Sequence, residues 1–156
     1  MNGVPAWVLQ VDRVAKVAVG KMEIIHIVHN PDYITIPCAP EHCNRVIYWN
    51  KKIIPVMNMS VWFNDSVVYY HSNLVAIVTY QGKANGEIKY GGIQLLDPPV
   101  IDYVSNNQLS NSDVTEGKWR SIALSCYRNK NDEDIPIIDL RTVFSNSRRN
   151  SAGFLR

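Results

Sequence analysis

The stretch Ile53-Ile-Pro-Val-Met-Asn-Met-Ser-Val-Trp-Phe63 recurs in outline near the end of the chain as Ile135-Pro-Ile-Ile-Asp139-Leu-Arg-Thr-Val-Phe144. Aligned from Ile54 and Ile135, the two share Ile-Pro, two apolar residues, an Asn or Asp, another apolar residue and a closing Phe. Each opens as an apolar strand whose Pro, lacking an N–H for the ladder, suits an edge or first position. Asn58 and Asp139 then supply a short polar side chain able to cap or turn the chain. Phe63 and Phe144 end each copy on an aromatic that calls for burial. A strand, a cap and a short amphipathic tail occurring twice predicts two similar half-structures in one domain.

Around these anchors the apolar runs are short. Ala6–Val11 and Val14–Val19 read as strands on either side of a tight Asp12-Arg13 hairpin, with Gly20 closing the second. Met22–Val28 fits a short helix or a strand, because so brief a run does not reveal its period. Asn30-Pro31-Asp32 is a turn, Tyr33–Pro37 is extended, and Pro40 opens a single helical turn. Arg45–Trp49 and Ile53–Met57 form a hairpin across Lys51-Lys52, a break without Gly that leaves its turn type open. Strands are expected at Val67–Tyr70, Leu74–Tyr80, Glu87–Leu95, Val100–Val104, Lys118–Tyr127 and Ile135–Ile138. Gln81–Gly86 is a flexible turn and Ser105–Gly117 the longest loop. Leu140–Phe144 forms a short helix capped by Asp139. Many short strands with almost no helix give a mainly β protein, a barrel or sandwich class. The repetition favours two small barrels packed together. One domain spans residues 1–145, and a Ser/Asn/Arg-rich flexible tail covers 146–156.

At 156 residues, 46% apolar and 19% charged, the chain can bury a sizeable core. A net charge of +2 gives little electrostatic reason for a nucleic-acid or acidic membrane partner. Asp12, Arg13 and Lys16 interrupt the N-terminal apolar residues, so no signal peptide or spanning segment is expected there. Cys38, Cys43 and Cys126 are an odd set without framework spacing, which fits reduced thiols and a cytoplasmic location. His26, His29, Cys38, His42 and Cys43 match no standard zinc spacing, and a Cys43–His71 nucleophilic pair has no activating environment. The aspartates sit in turns and caps, and Gly91-Gly92 lacks a phosphate-loop pattern and instead permits a bulge or a close strand approach. No enzyme, cofactor or metal is read from these residues. Trp49, Trp62, Tyr48, Tyr69 and Tyr70 could stack on bases, which makes a small barrel binding single-stranded nucleic acid the alternative reading. The missing basic groove weighs against it.

Taken together, these segments resemble the CheW-like domain family, the chemotaxis coupling protein and its PilI-type twitching relatives. Tyr33–Pro40 is similar to the family's extended stretch and Ala-Pro turn, Val46–Phe63 to its motif hairpin, and Val75–Tyr80 with Gly91-Gly92-Ile93 to the strands opening its second half. Asp134–Phe144 resembles the closing strand and helix start. The family's Gly before Val is Arg45 here, its Asn-Leu-Arg-Gly is Tyr48-Trp49-Asn50-Lys51, and its Asp after the strand is Asn58, while Asp139 and Arg141 are kept in the second copy. The resemblance implies two interlocked five-stranded SH3-like β-barrels with few short helices. It also implies a non-enzymatic adaptor that links a chemoreceptor and a CheA-like histidine kinase, in chemotaxis or type IV pilus signalling, with room for self-association. Ile36, Pro40 and Val46 match family groove or hairpin positions. Tyr48 and Trp49 join them as partner-binding candidates on their aromatic character, with a core role as the alternative for either. Pro55, Asp139 and Phe144 match the family but read as structural.

Overall fold

Strands and turns follow the apolar runs closely. The computed structural model describes residues 3–64, 73–82, 86–110 and 117–145. β1 (Val4–Gln10) and β2 (Lys16–Gly20) flank the Asp12-Arg13 turn, and a 3-10 turn at Lys21–Glu23 leads into β3 (Ile24–His29). The ambiguous Met22–Val28 run is therefore strand after one tight turn. β4 (Ile34–Thr35) is brief, and a 3-10 turn at Glu41–Cys43 starts after Pro40. β5 (Arg45–Trp49) and β6 (Lys52–Met57) form the expected hairpin and lead into α1 (Met59–Asn64). β7 (Leu74–Gln81), β8 (Ile88–Leu95), β9 (Val100–Val104) and β10 (Leu109–Ser110) follow. They are succeeded by α2 (Trp119–Ile122), β11 (Ala123–Arg128), β12 (Asp134–Ile138) and a last helix, α3, over residues 140–145.

Three expectations are corrected. Lys118–Tyr127 is not strand throughout: residues 119–122 coil into one helical turn, closed by the Ser121 hydroxyl and N–H on Lys118 O. That turn buries Ile122 and lets Asp139 N–H donate to Ile122 O at 2.7 Å. Ser105–Gly117 is not loop throughout, because the Gln108 side chain accepts from Ser105 N–H and Leu109–Ser110 pairs with Tyr127 and Cys126. Pro55 and Pro136 lie in internal strands, not at an edge or first position. Each is accommodated because parallel pairing begins one residue later, at Val56↔Gly92 and Ile137↔Ala18. The expected strand Val67–Tyr70, parts of the 81–86 turn and the 105–117 loop, and the tail 146–156 lie outside the described residues.

Two sheets result, ordered β3-β7-β8-β6-β5-β4 and β9-β1-β2-β12-β11-β10. Position by position they have the same pairing: antiparallel, antiparallel, parallel, antiparallel, antiparallel. Each holds the five long strands expected and adds a two-residue edge strand. The chain reads as one plan used twice, a hairpin followed by four strands and a helix, but the hairpins are exchanged. β1–β2 completes the sheet of the second repeat, and β7–β8 completes that of the first.

The exchange explains the core. One apolar cluster lies between the sheets, with Leu9, Val17 and Val19 from one and Met57, Ala76, Val78, Ile93 and Leu95 from the other. Each sheet also has its own cluster on the opposite face: Ile47, Ile54, Val56, Val75 and Ile77 in the first, Ala18, Tyr127 and Ile135 in the second. β7 is apolar on both faces because alternate residues serve different clusters. The caps behave alike as well. Asn58 accepts from Val61 N–H at 3.2 Å, while Asp139 offers its backbone O to Val143 N–H and its carboxylate to the Thr142 hydroxyl. Gly91 is needed because Phe144 lies flat against it. A Cβ there would stand 2.3 Å from the ring, which also stacks on Tyr80 at 5.2 Å.

The exchanged hairpin is tied down by a buried carboxylate. Asp12, at the β1–β2 turn, accepts hydrogen bonds from the Ser60 hydroxyl at 2.5 Å, Asn64 Nδ2 at 3.1 Å and Val14 N–H at 3.2 Å. Buried charge requires such donors, and here two of them come from α1. The network therefore joins the first repeat's hairpin to the helix that ends the same repeat.

Candidate functional site

Strand alternation sorts the candidate residues on β5. Ile47 and Trp49 face the first sheet's own cluster, with Trp49 half-buried and stacked on His26 at 5.5 Å. Val46 and Tyr48 point the other way. Across the ladder Val46 meets Ile34 on one side and Pro55 on the other, and Tyr48 meets Ile53. The result is an apolar face spanning β4, β5 and β6, on which Ile34 is 55% exposed, Tyr48 68% and Ile53 71%. Ile36, 41% exposed, extends it where its N–H donates to Asn44 O. Met57, two residues past Pro55 on β6, belongs to the cluster between the sheets, so the exposed face runs directly into that core.

Of the five candidates, Ile36, Val46 and Tyr48 are thus brought together. Pro40 is half-buried beyond the end of β4, its carbonyl closing the 3-10 turn with Cys43 N–H at 3.0 Å. Trp49 lies on the opposite face. Ile34 and Ile53 complete the surface, and the sequence carried a signal for Ile53, since a two-residue turn at Asn50-Lys51 places it opposite Tyr48. Both turn residues adopt positive φ, 50° and 62°. That is the left-handed pair whose twist matches a hairpin, reached here without Gly.

On the other face of β5, Arg45 Nη2 donates to Gln94 Oε1 at 2.8 Å, and its guanidinium sits 4.2 Å above the Tyr33 ring. This fixes the segment leading into β4 against β8. Burial pushes the Tyr33 hydroxyl pKa up, and the Arg45 charge opposes that rise.

The second sheet supplies an internal control. Register makes Ser110, Cys126, Pro136, Arg128 and Asp134 the counterparts of Ile34, Val46, Pro55, Tyr48 and Ile53. Cys126 is buried, and a cleft of 160 Å³ beside it is lined by Val14, Phe63 and Trp119. Arg128 and Asp134 form a two-point ion pair at 3.1 and 3.3 Å. Asn129 then organises the loop, accepting from Asn131 and Glu133 N–H groups and donating to the Glu133 carboxylate. The same backbone position is therefore apolar and open in one sheet, and polar or covered in the other.

Other features suggest no chemistry. Among the described residues no group of three His, Cys, Asp or Glu is placed to hold a metal ion. The three cysteines form no disulfide among the described residues, and His71 lies outside them. Trp62 packs edge-on against Trp119 at 5.5 Å, which leaves it buttressing α1 against α2. A cleft of 400 Å³ beside β9 contains Lys16 and Asp102, which are already engaged by Glu133 and the Tyr127 hydroxyl. No described helix is long and apolar enough to cross a membrane.

With this geometry in place, comparison with known protein families gives a match over most of the chain. The sequence model of the CheW-like domain matches residues 7–148. Among solved structures, the scaffolding protein TtCheW from Thermoanaerobacter tengcongensis is similar with a TM-score of 0.71 at 16% identity, over 91% of this chain and 92% of that one. That likeness shows the fold: two SH3-like barrels, one built on each sheet. No curated protein matches the chain in sequence.

Proposed function

The chain belongs to the CheW-like domain family, and from that membership we propose that it is a non-enzymatic adaptor in bacterial chemosensory signalling. It links a chemoreceptor to a CheA-like histidine kinase in the cytoplasm through protein–protein contacts, either in chemotaxis or in the related control of type IV pili. The observation that supports this reading is the open apolar face of Ile34, Ile36, Val46, Tyr48 and Ile53. Side chains this large are exposed together on a rigid sheet where the equivalent sheet exposes an ion pair. A contiguous apolar patch of this kind marks an interaction surface. Tyr48 is its natural anchor, being rigid, amphipathic and unburied.

The test is a binding measurement with the purified chemosensory kinase and receptor encoded in the same genome, comparing wild type with Val46→Asp and Ile53→Asp. A charge in the centre of an apolar contact is expected to abolish binding, because it is desolvated without a partner. Ile53→Asp is the cleaner variant, since Ile53 is mostly exposed and contributes little to the core. Binding that is equally tight for wild type and both folded variants would move the contact elsewhere on the molecule.

A further inference from the structure

The two hairpin tips differ in charge as well as in polarity. Between Arg45 and Met57 the chain carries three cations and no acid, whereas between Ala123 and Ile138 it carries two cations and three acids. The second tip is neutralised internally: Arg128 is held by Asp134, and Glu133 by Lys16 at 3.0 Å. The first is not. Arg45 is turned inward onto Gln94 and Tyr33, and Lys52 lies 5.0 Å over the Tyr90 ring on the same inner side. Lys51, exposed at the turn, has no ion pair among the described residues, and neither has Lys89.

Lys89 belongs to the same surface. β6 and β8 run parallel with Val56 beside Gly92, so the register carried back puts the Lys89 backbone level with Ile53, while its side chain leans toward Gly82 on the β7 side. Alternation places Lys89 on the face of Gly91, which is the face turned to Phe144 and the central core. At its hairpin end the apolar patch is thus bordered by two ammonium groups without an ion pair among the described residues, Lys51 at the tip and Lys89 toward β7, while Asp32 and Glu41 lie at its β4 end. Glu87 is the only acid between Gly86 and Leu95, and it precedes the strand.

Building on the adaptor reading, we propose that the partner of this face is a protein surface whose apolar contact residues are flanked by carboxylates, which Lys51 and Lys89 meet. Charges at the rim of an interface act mainly on the association rate and on its salt dependence. The apolar centre supplies the lifetime of the complex, and the lysines select and steer the partner. Lys51 adopts a positive φ of 62° in this tight turn and is exposed there.

The experiment measures association kinetics of the same purified kinase and receptor with wild type, with the Lys51→Glu/Lys89→Glu double variant, and with Lys130→Glu as a control on the other tip. Circular dichroism checks that each variant is folded. The expected result is association that slows as salt is added, a double variant about tenfold slower at low salt, and Lys130→Glu unchanged. Association that is insensitive to salt and identical in the double variant, with Ile53→Asp still abolishing binding, overturns this proposal and leaves the adaptor reading standing. Failure of wild type to bind either protein at low salt overturns both. A concentration-dependent dimer dissolved by Ile53→Asp also overturns it, by giving the face to a second copy of the chain.

Discussion

The two barrels have the same strand order, the same pairing directions and the same Pro one residue before the parallel contact, yet they spend these features differently. The first sheet fills its own cluster with aliphatic side chains, Ile47 at its heart, and leaves the outer side of its hairpin apolar and open. The second puts Tyr127 where Ile47 stands, satisfies its hydroxyl on Asp102 at 3.0 Å, and seals the hairpin with the Arg128–Asp134 pair. Backbone topology therefore does not dictate surface chemistry. Inward positions are constrained by packing and outward ones are free to diverge, so a duplicated plan can keep one closed face for stability and one open face for contact.

The sharpest way to break the comparison is to exchange residues between equivalent positions. Gly91 corresponds to Val17, and a valine that the second sheet accepts should not be accepted by the first. Gly91→Val is expected to destabilise by about 3 kcal/mol in urea unfolding, because Phe144 occupies the space a Cβ would need. Phe144→Ala combined with it should recover part of that loss, a non-additivity that identifies the clash. If Gly91→Val cost no more than a surface change, the Phe144 contact would not be what requires glycine there.

A smaller effect is expected at the tyrosine that distinguishes the second cluster. Tyr127→Phe removes one hydrogen bond to a carboxylate and should cost about 1–2 kcal/mol. Burial and the neighbouring Asp102 hold the Tyr127 hydroxyl well above its usual pKa, so it is the protonated donor at neutral pH. An unchanged denaturation midpoint would mean that solvent replaces the contact.

The least effect is expected at the second tip. The Asn129 side chain and then Lys16 hold the Glu133 carboxyl below its ordinary pKa. A carboxylate lowered in the folded state stabilises above its ordinary pKa, and the contribution is lost as pH falls through the lowered value. Glu133→Gln should therefore lower stability slightly at neutral pH and match wild type in acid. The group is solvent-exposed, so screening keeps the difference small. An identical pH profile for the two proteins would show that the loop is held by Asn129 alone.

Much of this was legible in the chain. The echo of Ile54–Phe63 in Ile135–Phe144 predicted two half-structures, and Asn58 and Asp139 stand at the helix starts where their short polar side chains belong. Residues 119–122 were misread because the apolar alternation of Ile122–Tyr127 runs on from them, and a single helical turn has no period of its own. Tyr48 and Trp49 were indistinguishable as letters. The register of β5 separates them, sending one to solvent and the other onto His26.

Sequence by itself determined most of the strands and turns and the presence of a repeat, because those depend on neighbours a few residues apart: alternation, β-branching, Pro and the capping side chains. Only the tertiary structure decided that the hairpins are exchanged, that Gly91 makes room for Phe144, and that one hairpin face is open while its counterpart is paired. These depend on residues far apart in the chain meeting across a ladder or a core, where shape and the pairing of charges decide the outcome and local pattern carries no record of the partner.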